Sequence, residues 1–430
     1  MTARAGLGPF PDVDGHDTAR RLDDADPLAG WRERFAFPDP DLIYLDGNSL
    51  GRLPLAARQV VTDVVVDQWG DRLIRSWNEG WWDLQLTLGD LLAPIVGARP
   101  GEVIISDSTS VNLFKLAAAA VTAAPHRHTI VTDDLNFPTD IYVLEGVARR
   151  FGEGTRLVVV ESDGVNGPLD ALSEAVNDDT ALVALSHTAF KSGYTYDMGS
   201  MTEMVHRAGA LMLWDTSHSV GVVPVELGSS GADLAVGCTY KYLNGGPGSP
   251  AFLYVRRDLQ EILENPITAW WGHAHPFGFE PGFRPVGGIR RFHTGTMPVI
   301  SLAATEAGVR EVLEAGVDRI REKSVALTGF LVGQWEAHLE PLGFTLASPR
   351  DAGTRGSHVA LSHPDGWPIA RALIETAAVL PDFRAPDSLR LGLSPLYTRF
   401  VDVHTAVARI KQVVESGAYE QFRDATMTVT

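Results

Sequence analysis

The 430-residue chain has one cysteine, Cys238, so no disulfide can form within it, and a reducing cytoplasm is the expected setting. No run approaches the roughly 18 uncharged apolar residues of a membrane span. The first thirty residues carry scattered Pro, Asp and Arg and lack the apolar centre of a signal peptide. Positive charge is scarce: 36 Lys and Arg against 54 Asp and Glu leave a net charge of −18. That balance disfavours nucleic acid and anionic membrane as partners. Repeats and low-complexity tracts are lacking too. His273 and His275 have few acidic neighbours in sequence and make a poor metal site, so no metal is expected; His273 reads as a satisfied loop histidine or a pocket donor.

What is present is an ordinary globular balance, 45% hydrophobic and 21% charged, in a chain long enough for two or three packed parts. Short β-branched runs recur: Thr129–Asp133, Arg156–Glu161, Ala181–Ser186, Leu211–Asp215, Asp233–Thr239 and Ala251–Val255. Several are continuously apolar, as strands buried on both faces are. Helix-length stretches lie between them, such as Thr139–Phe151 and Met198–Ala210. The alternation predicts an α/β fold with a large, mainly parallel sheet. A smaller α+β carboxy-terminal domain is expected from strand-like runs at Phe344–Ala347, His358–Leu361 and Leu389–Leu393. The expected division is an amino-terminal arm over 1–45, a large domain over 46–300 and a small domain over 301–430. Trp270–Thr296 reads as a long ordered loop, and such loops are usually functional.

Chemistry gathers at strand ends, where open α/β sheets place their sites. Asp133, Ser186 and Asp215 fall there. Lys241 follows Asp215 by 26 residues, after an apolar strand and before the turn Gly245-Gly-Pro-Gly248, and His218 lies between the two. Most lysines are solvated surface groups. An apolar setting instead favours the neutral amine that imine formation needs. Lysine, strand-end Asp and His together suit an enzyme holding pyridoxal phosphate (PLP): the lysine forms the Schiff base and Asp215 keeps the pyridine nitrogen protonated. Thr109 and Ser110 open an apolar helix; they are ordinary caps taken alone and a phosphate cradle beside such a cofactor. Asn136-Phe-Pro-Thr-Asp140 is a turn leading into a helix; taken alone it is an ordinary X-Pro turn, and beside such a cofactor Phe137 would stack on the ring and Asp140 approach its nitrogen. Arg390 in a strand-like run is by itself a solvent-facing residue; its fork also suits an α-carboxylate.

Longer motifs carry a resemblance. Tyr44-Leu-Asp-Gly-Asn-Ser-Leu-Gly51, Phe137-Pro-Thr-Asp140, Leu185-Ser-His187, Trp214-Asp-Thr-Ser-His-Ser-Val-Gly221, Tyr240-Lys-Tyr-Leu-Asn-Gly-Gly-Pro-Gly248, Trp270-Trp-Gly-His273, Gly295-Thr296 and Arg390–Tyr397 resemble the kynureninase family. The match runs from about Tyr44 to Tyr397, and its first and fifth motifs are the specific ones. The resemblance implies a fold-type-I PLP hydrolase that cleaves the Cβ–Cγ bond of kynurenine, or of its 3-hydroxy or ring-substituted forms, to an anthranilate and alanine. It implies that Lys241 forms the aldimine, that Asp215 pairs with the pyridine nitrogen with support from His218, and that Phe137 and Asp140 flank the ring. By the same resemblance Thr109, Ser110 and Tyr240 are expected to hold the phosphate, and Ser186 to hydrogen-bond near the cofactor. The resemblance further implies that Trp270 and Thr296 reach the phosphate from a neighbouring subunit, in a homodimer with shared sites. Arg390 binds the α-carboxylate, Asn48 and His273 are further substrate-binding candidates, and Tyr240 is the candidate base for water addition. Ala269, Met297 and the pair Trp81–Trp82 depart from the family pattern around the aryl pocket. A class V aminotransferase remains open on residues alone; a cysteine desulfurase is disfavoured because Cys238 precedes Lys241.

Overall fold

A computed structural model describes residues 15–152 and 154–426. In chain order the helices and strands begin with α1 (His16–Asp24), β1 (Ile43–Tyr44), α2 (Leu55–Asp63), α3 (Leu84–Leu92), β2 (Val103–Ile105), α4 (Thr109–Ala123), β3 (Thr129–Asp133) and α5 (Pro138–Phe151). The middle of the chain supplies β4 (Arg156–Val160), α6 (Leu169–Ala175), β5 (Thr180–Ser186), α7 (Met198–Arg207), β6 (Leu211–Asp215), β7 (Leu234–Gly237) and β8 (Phe252–Val255). These strands form one seven-stranded sheet in the order β2-β8-β7-β6-β5-β3-β4. The run from β7 to β4 is parallel, and β8 is antiparallel to both β7 and β2.

Burial explains why the strand sequences lack alternation. All five residues of β3 and all seven of β5 are buried, because helices cover both faces. The exception is β4, the sheet edge, where Val159 is exposed despite an equally apolar sequence. The helix starts are local. Ser108 Oγ accepts the Val111 amide and caps α4, and Pro138 occupies the first turn of α5, where no amide is needed.

Beyond the long loop come α8 (Val299–Ala315) and α9 (Val317–His338), separated by Gly316, whose φ of 83° ends the first helix. They are followed by β9 (Thr345–Leu346), β10 (His358–Ser362), α10 (Gly366–Thr376), β11 (Val379–Leu380), β12 (Asp382–Arg384), β13 (Ser388–Gly392) and α11 (Phe400–Glu415). The small sheet is antiparallel, in the order β12-β13-β10-β9. Its core of Val359, Leu361, Leu389 and Leu391 is packed by α9, α10 and α11. The amino-terminal region, where no periodicity stands out, holds α1. Ala19 enters that same core, and the Asp23 carboxylate accepts the Phe400 and Val401 amides at the start of α11. Among the described residues no helix is long and apolar enough to cross a membrane.

Candidate active site

Parallel register brings the chemistry together. Ser186 at the end of β5 pairs with Asp215 at the end of β6. The turn after β6 returns Ser217 and His218 to the same end, and the segment after β7 brings Tyr240 and Lys241. A cavity of about 230 Å³ opens there, lined by Asn48, Thr109, Phe137, Asp140, Asp215, Lys241 and their neighbours. Lys241 Nζ lies 3.1 Å from His218 Nε2. His218 is buried, and burial together with the Lys241 charge holds its imidazole well below the usual range. The ring is therefore neutral and can exchange a hydrogen bond with the amine. Asp215 is buried and accepts the Ser217 amide at 2.9 Å.

Asp140, on the first turn of α5, is buried beside Asp215, and the two carboxyls share a hydrogen bond. Burial and the Asp215 charge push Asp140 well above the usual carboxylate range, so one proton is retained between the two. Phe137 leaves 40% of its surface exposed into the cavity, with its ring edge-on to Phe190 at 5.2 Å. Thr109 and Ser110 sit at the amino terminus of α4, where free amides and the helix dipole favour an anion. Tyr240 stands beside Cys238 and is partly buried, and both effects raise its phenol above the ordinary value. At neutral pH it holds its proton and is a hydrogen-bond donor. That is a poor state for the base expected from the sequence.

The opposite wall is the small sheet. Arg390 on β13 is 1% exposed and ion-paired with Asp382 on β12. Its Nη2 donates to Ser49 Oγ at 3.0 Å and its Nη1 to the Phe190 carbonyl. The Asn48 amide oxygen, turned toward it, accepts from Nε at 2.7 Å.

Relatives bear on this geometry. Residues 320–410 match the family model for the kynureninase C-terminal domain. The chain is 44% identical over 405 residues to kynureninase of Pseudomonas fluorescens, covering 93% of this chain and 95% of that protein. It is 45% identical over 415 residues to kynureninase of Burkholderia pseudomallei strain K96243, covering 95% and 98%. The chain belongs to the kynureninase family. Among solved structures it is similar to a cysteine desulfurase of Thermococcus onnurineus NA1, with a TM-score of 0.75 and 17% identity over 96% of this chain and all of that one. It is also similar to a C-DES mutant with glycine covalently linked to its PLP cofactor, with a TM-score of 0.75 and 18% identity over 87% and 99%. At such identities these neighbours show the shared fold-type-I architecture.

The cofactor of a kynureninase is pyridoxal phosphate, and the residues present fit it. Two adjoining buried carboxyls are costly alone, and a protonated pyridine nitrogen bound beside Asp215 would supply the missing cation. The amine of Lys241, the face of Phe137 and the hydroxyls of Thr109 and Ser110 complete the donor set. Of the residues expected from sequence, Asn48, Thr109, Ser110, Phe137, Asp140, Asp215, His218, Tyr240, Lys241 and Arg390 line this one cavity. His218 contacts Lys241. Ser186 is buried behind the cavity, its amide held by Asn136. Thr296 borders a second cavity that shares Thr109, Ser110 and Tyr240 with the first. His273 lies apart, its Nε2 3.1 Å from the Gly282 carbonyl. Trp270 belongs to a ring cluster in which Trp82 lies 4.2 Å from Trp271, so Trp82 packs against this loop. Sequence reasoning missed Ser49, Thr139, Ser217 and Arg384. For Arg384 the signal was its two-residue spacing from Asp382 on a strand.

Proposed function

We propose that the chain is a kynureninase in use: a hydrolase of carbon–carbon bonds in ketonic substances that converts L-kynurenine and water to anthranilate and L-alanine in tryptophan catabolism. The observation that carries this reading is one cavity with Lys241 and the Asp140–Asp215 pair on one wall and Arg390 with Asn48 on the other. That spacing suits an amino acid held by its carboxylate, with its amine toward the lysine. Bound PLP supplies an electron sink conjugated to the substrate α-carbon.

The rest falls to this chain. Lys241 takes the α-proton and returns it, with the neutral His218 ring accepting or donating at 3.1 Å. Asp215 would balance the positive charge of the ring nitrogen, and Asp140, kept protonated, holds the Asp215 carboxylate by a hydrogen bond. Tyr240, held in its protonated form, donates at the phosphate end of the cavity. Arg390 and Asn48 fix the α-carboxylate, which orients the Cβ–Cγ bond for cleavage after water adds at the γ-carbonyl. A desulfurase reaction needs an accessible thiol; Cys238 is 1% exposed and burial pushes its thiol up.

The proposal includes a homodimer in which Trp270 and Thr296 of each subunit reach the partner's phosphate site. It is supported by the exposed apolar residues Leu53, Leu55, Val66, Trp69, Leu73 and Ile74, which a second copy would cover. The cytoplasm is the proposed location. Lys241→Ala tests the assignment: purified wild-type protein is yellow with lysine-bound PLP, and the variant loses that absorbance band and kynurenine turnover together. A colourless wild-type protein that takes up no PLP defeats it.

A further inference from the structure

Arg390 is nearly spent on the protein itself. Asp382, Ser49, Asn48 and the Phe190 carbonyl engage all three of its nitrogens, and the side chain is 1% exposed. Those contacts fix its position and leave few N–H groups for a ligand.

Arg384 differs in each respect. It lies two residues from Asp382 on β12, so both side chains face the same way, and β12 is antiparallel to β13 with Asp382 opposite Arg390. Its side chain is 35% exposed and lines the central cavity. Nη2 reaches Asp382 Oδ2 at 3.0 Å, Nη1 makes only a long 3.4 Å contact with the Phe383 carbonyl, and Nε is buried without a partner. One carboxylate therefore ties two guanidinium groups together, one saturated and fixed, the other with donors to spare and facing the ligand space.

We propose that Arg384 is the second arm of the carboxylate clamp, donating directly to the substrate α-carboxylate while Arg390 anchors it from beneath. This deepens the kynureninase reading and rests on it. Arg384 then sets affinity for amino acids with a free carboxylate, and the chemistry at Lys241 is left to other groups.

The test uses the PLP-loaded enzyme and reads binding as well as turnover. The spectral change on adding L-alanine, the product, gives its Kd, and L-alaninamide serves as the matched ligand without a carboxylate. For Arg384→Gln the expected result is a 10- to 100-fold weaker Kd for alanine, about what a charge-assisted hydrogen bond contributes. The Kd for alaninamide stays within about twofold, and KM for kynurenine rises while kcat falls less than about threefold. Arg384→Lys, which keeps the charge and loses the fork, falls between. Equal weakening of alanine and alaninamide overturns the proposal, as does unchanged alanine binding or a wild-type enzyme that does not prefer alanine. Wild-type protein that binds alanine and spares kynurenine instead defeats the broader functional reading, so the two failures are distinct.

Discussion

Gly51→Ala is the most informative single substitution, because Gly51 joins the amino-terminal motif directly to the Tyr240–Lys241 backbone. Gly51 donates its amide to the Tyr240 carbonyl at 2.8 Å. A Cβ there would stand 2.4 Å from the Lys241 carbonyl oxygen, 2.3 Å from Asn244 Oδ1 and 2.8 Å from Asn244 Cα. The Gly51 backbone is not among those with positive φ, so alanine meets no backbone strain and the effect is purely steric. Ordinary contact begins at 3.4 Å, so the Lys241 backbone must retreat by 3.4 − 2.4 = 1.0 Å. Overpacking of this kind costs about 1–3 kcal/mol of stability. A 1 Å displacement of a reacting group costs on the order of 100-fold in rate. The assay is kcat/KM on kynurenine, beside a melt followed by circular dichroism and the absorbance of lysine-bound PLP. The expected variant is folded, coloured and slower by about 10- to 100-fold. Gly329→Ala on α9, where a Cβ meets nothing within 4 Å, is the comparator and should gain about 0.5–1 kcal/mol with activity unchanged. Wild-type kcat/KM in Gly51→Ala would refute the claim that this contact sets the lysine's position.

Two further outcomes follow from buried charge. Lys115, fully buried, pairs with Asp107 at 2.7 Å at the turn before α4; although burial opposes it, Lys115 and nearby hydroxyls hold Asp107 below the usual carboxylate range. Lys115→Met should cost about 3–5 kcal/mol by leaving Asp107 unpaired, with weaker PLP retention on dialysis, and adding Asp107→Asn should recover part of both; equal loss in the double variant counts against the pairing. Burial lowers His187 to about 4 and His293 to about 3, so between those values and 6.5 the unfolded chain binds more protons, and stability falls as pH drops below 6.5. Asp46 and Asp133, each raised by burial to about 6, work in the opposite sense between about 4 and 6. His293→Leu should therefore flatten the acid limb of a urea-midpoint profile, by up to a few kcal/mol at pH 4; an unchanged slope would show that His293 titrates normally.

Much of this was legible in the sequence because strand ends and the large site residues coincide. Continuous apolar runs located β3, β5 and β6 within a residue or so, and the register of β5 with β6 then put Ser186 beside Asp215. The edge strand β4 was indistinguishable from the buried ones, since edge position depends on which strands pair and not on composition. Helix α1 was invisible because only a few residues such as Ala19 and Leu22 meet α11 and its neighbours. The placements of His273 and Arg384 were hard to read for a related reason. Motif membership singled out a histidine whose Nε2 faces the Gly282 carbonyl of its own loop, whereas the two-residue spacing of Arg384 from Asp382 gains meaning only through the antiparallel pairing that sets Asp382 opposite Arg390.

The most direct test of the central claim is product stoichiometry. Wild-type protein loaded with PLP is incubated with L-kynurenine and, in parallel, with 3-hydroxykynurenine, and aryl acid and alanine are quantified together. Cleavage at the Cβ–Cγ bond predicts anthranilate and alanine in equal amounts from kynurenine. A keto acid accumulating while the aryl ketone stays intact would contradict it and point to transamination at Lys241.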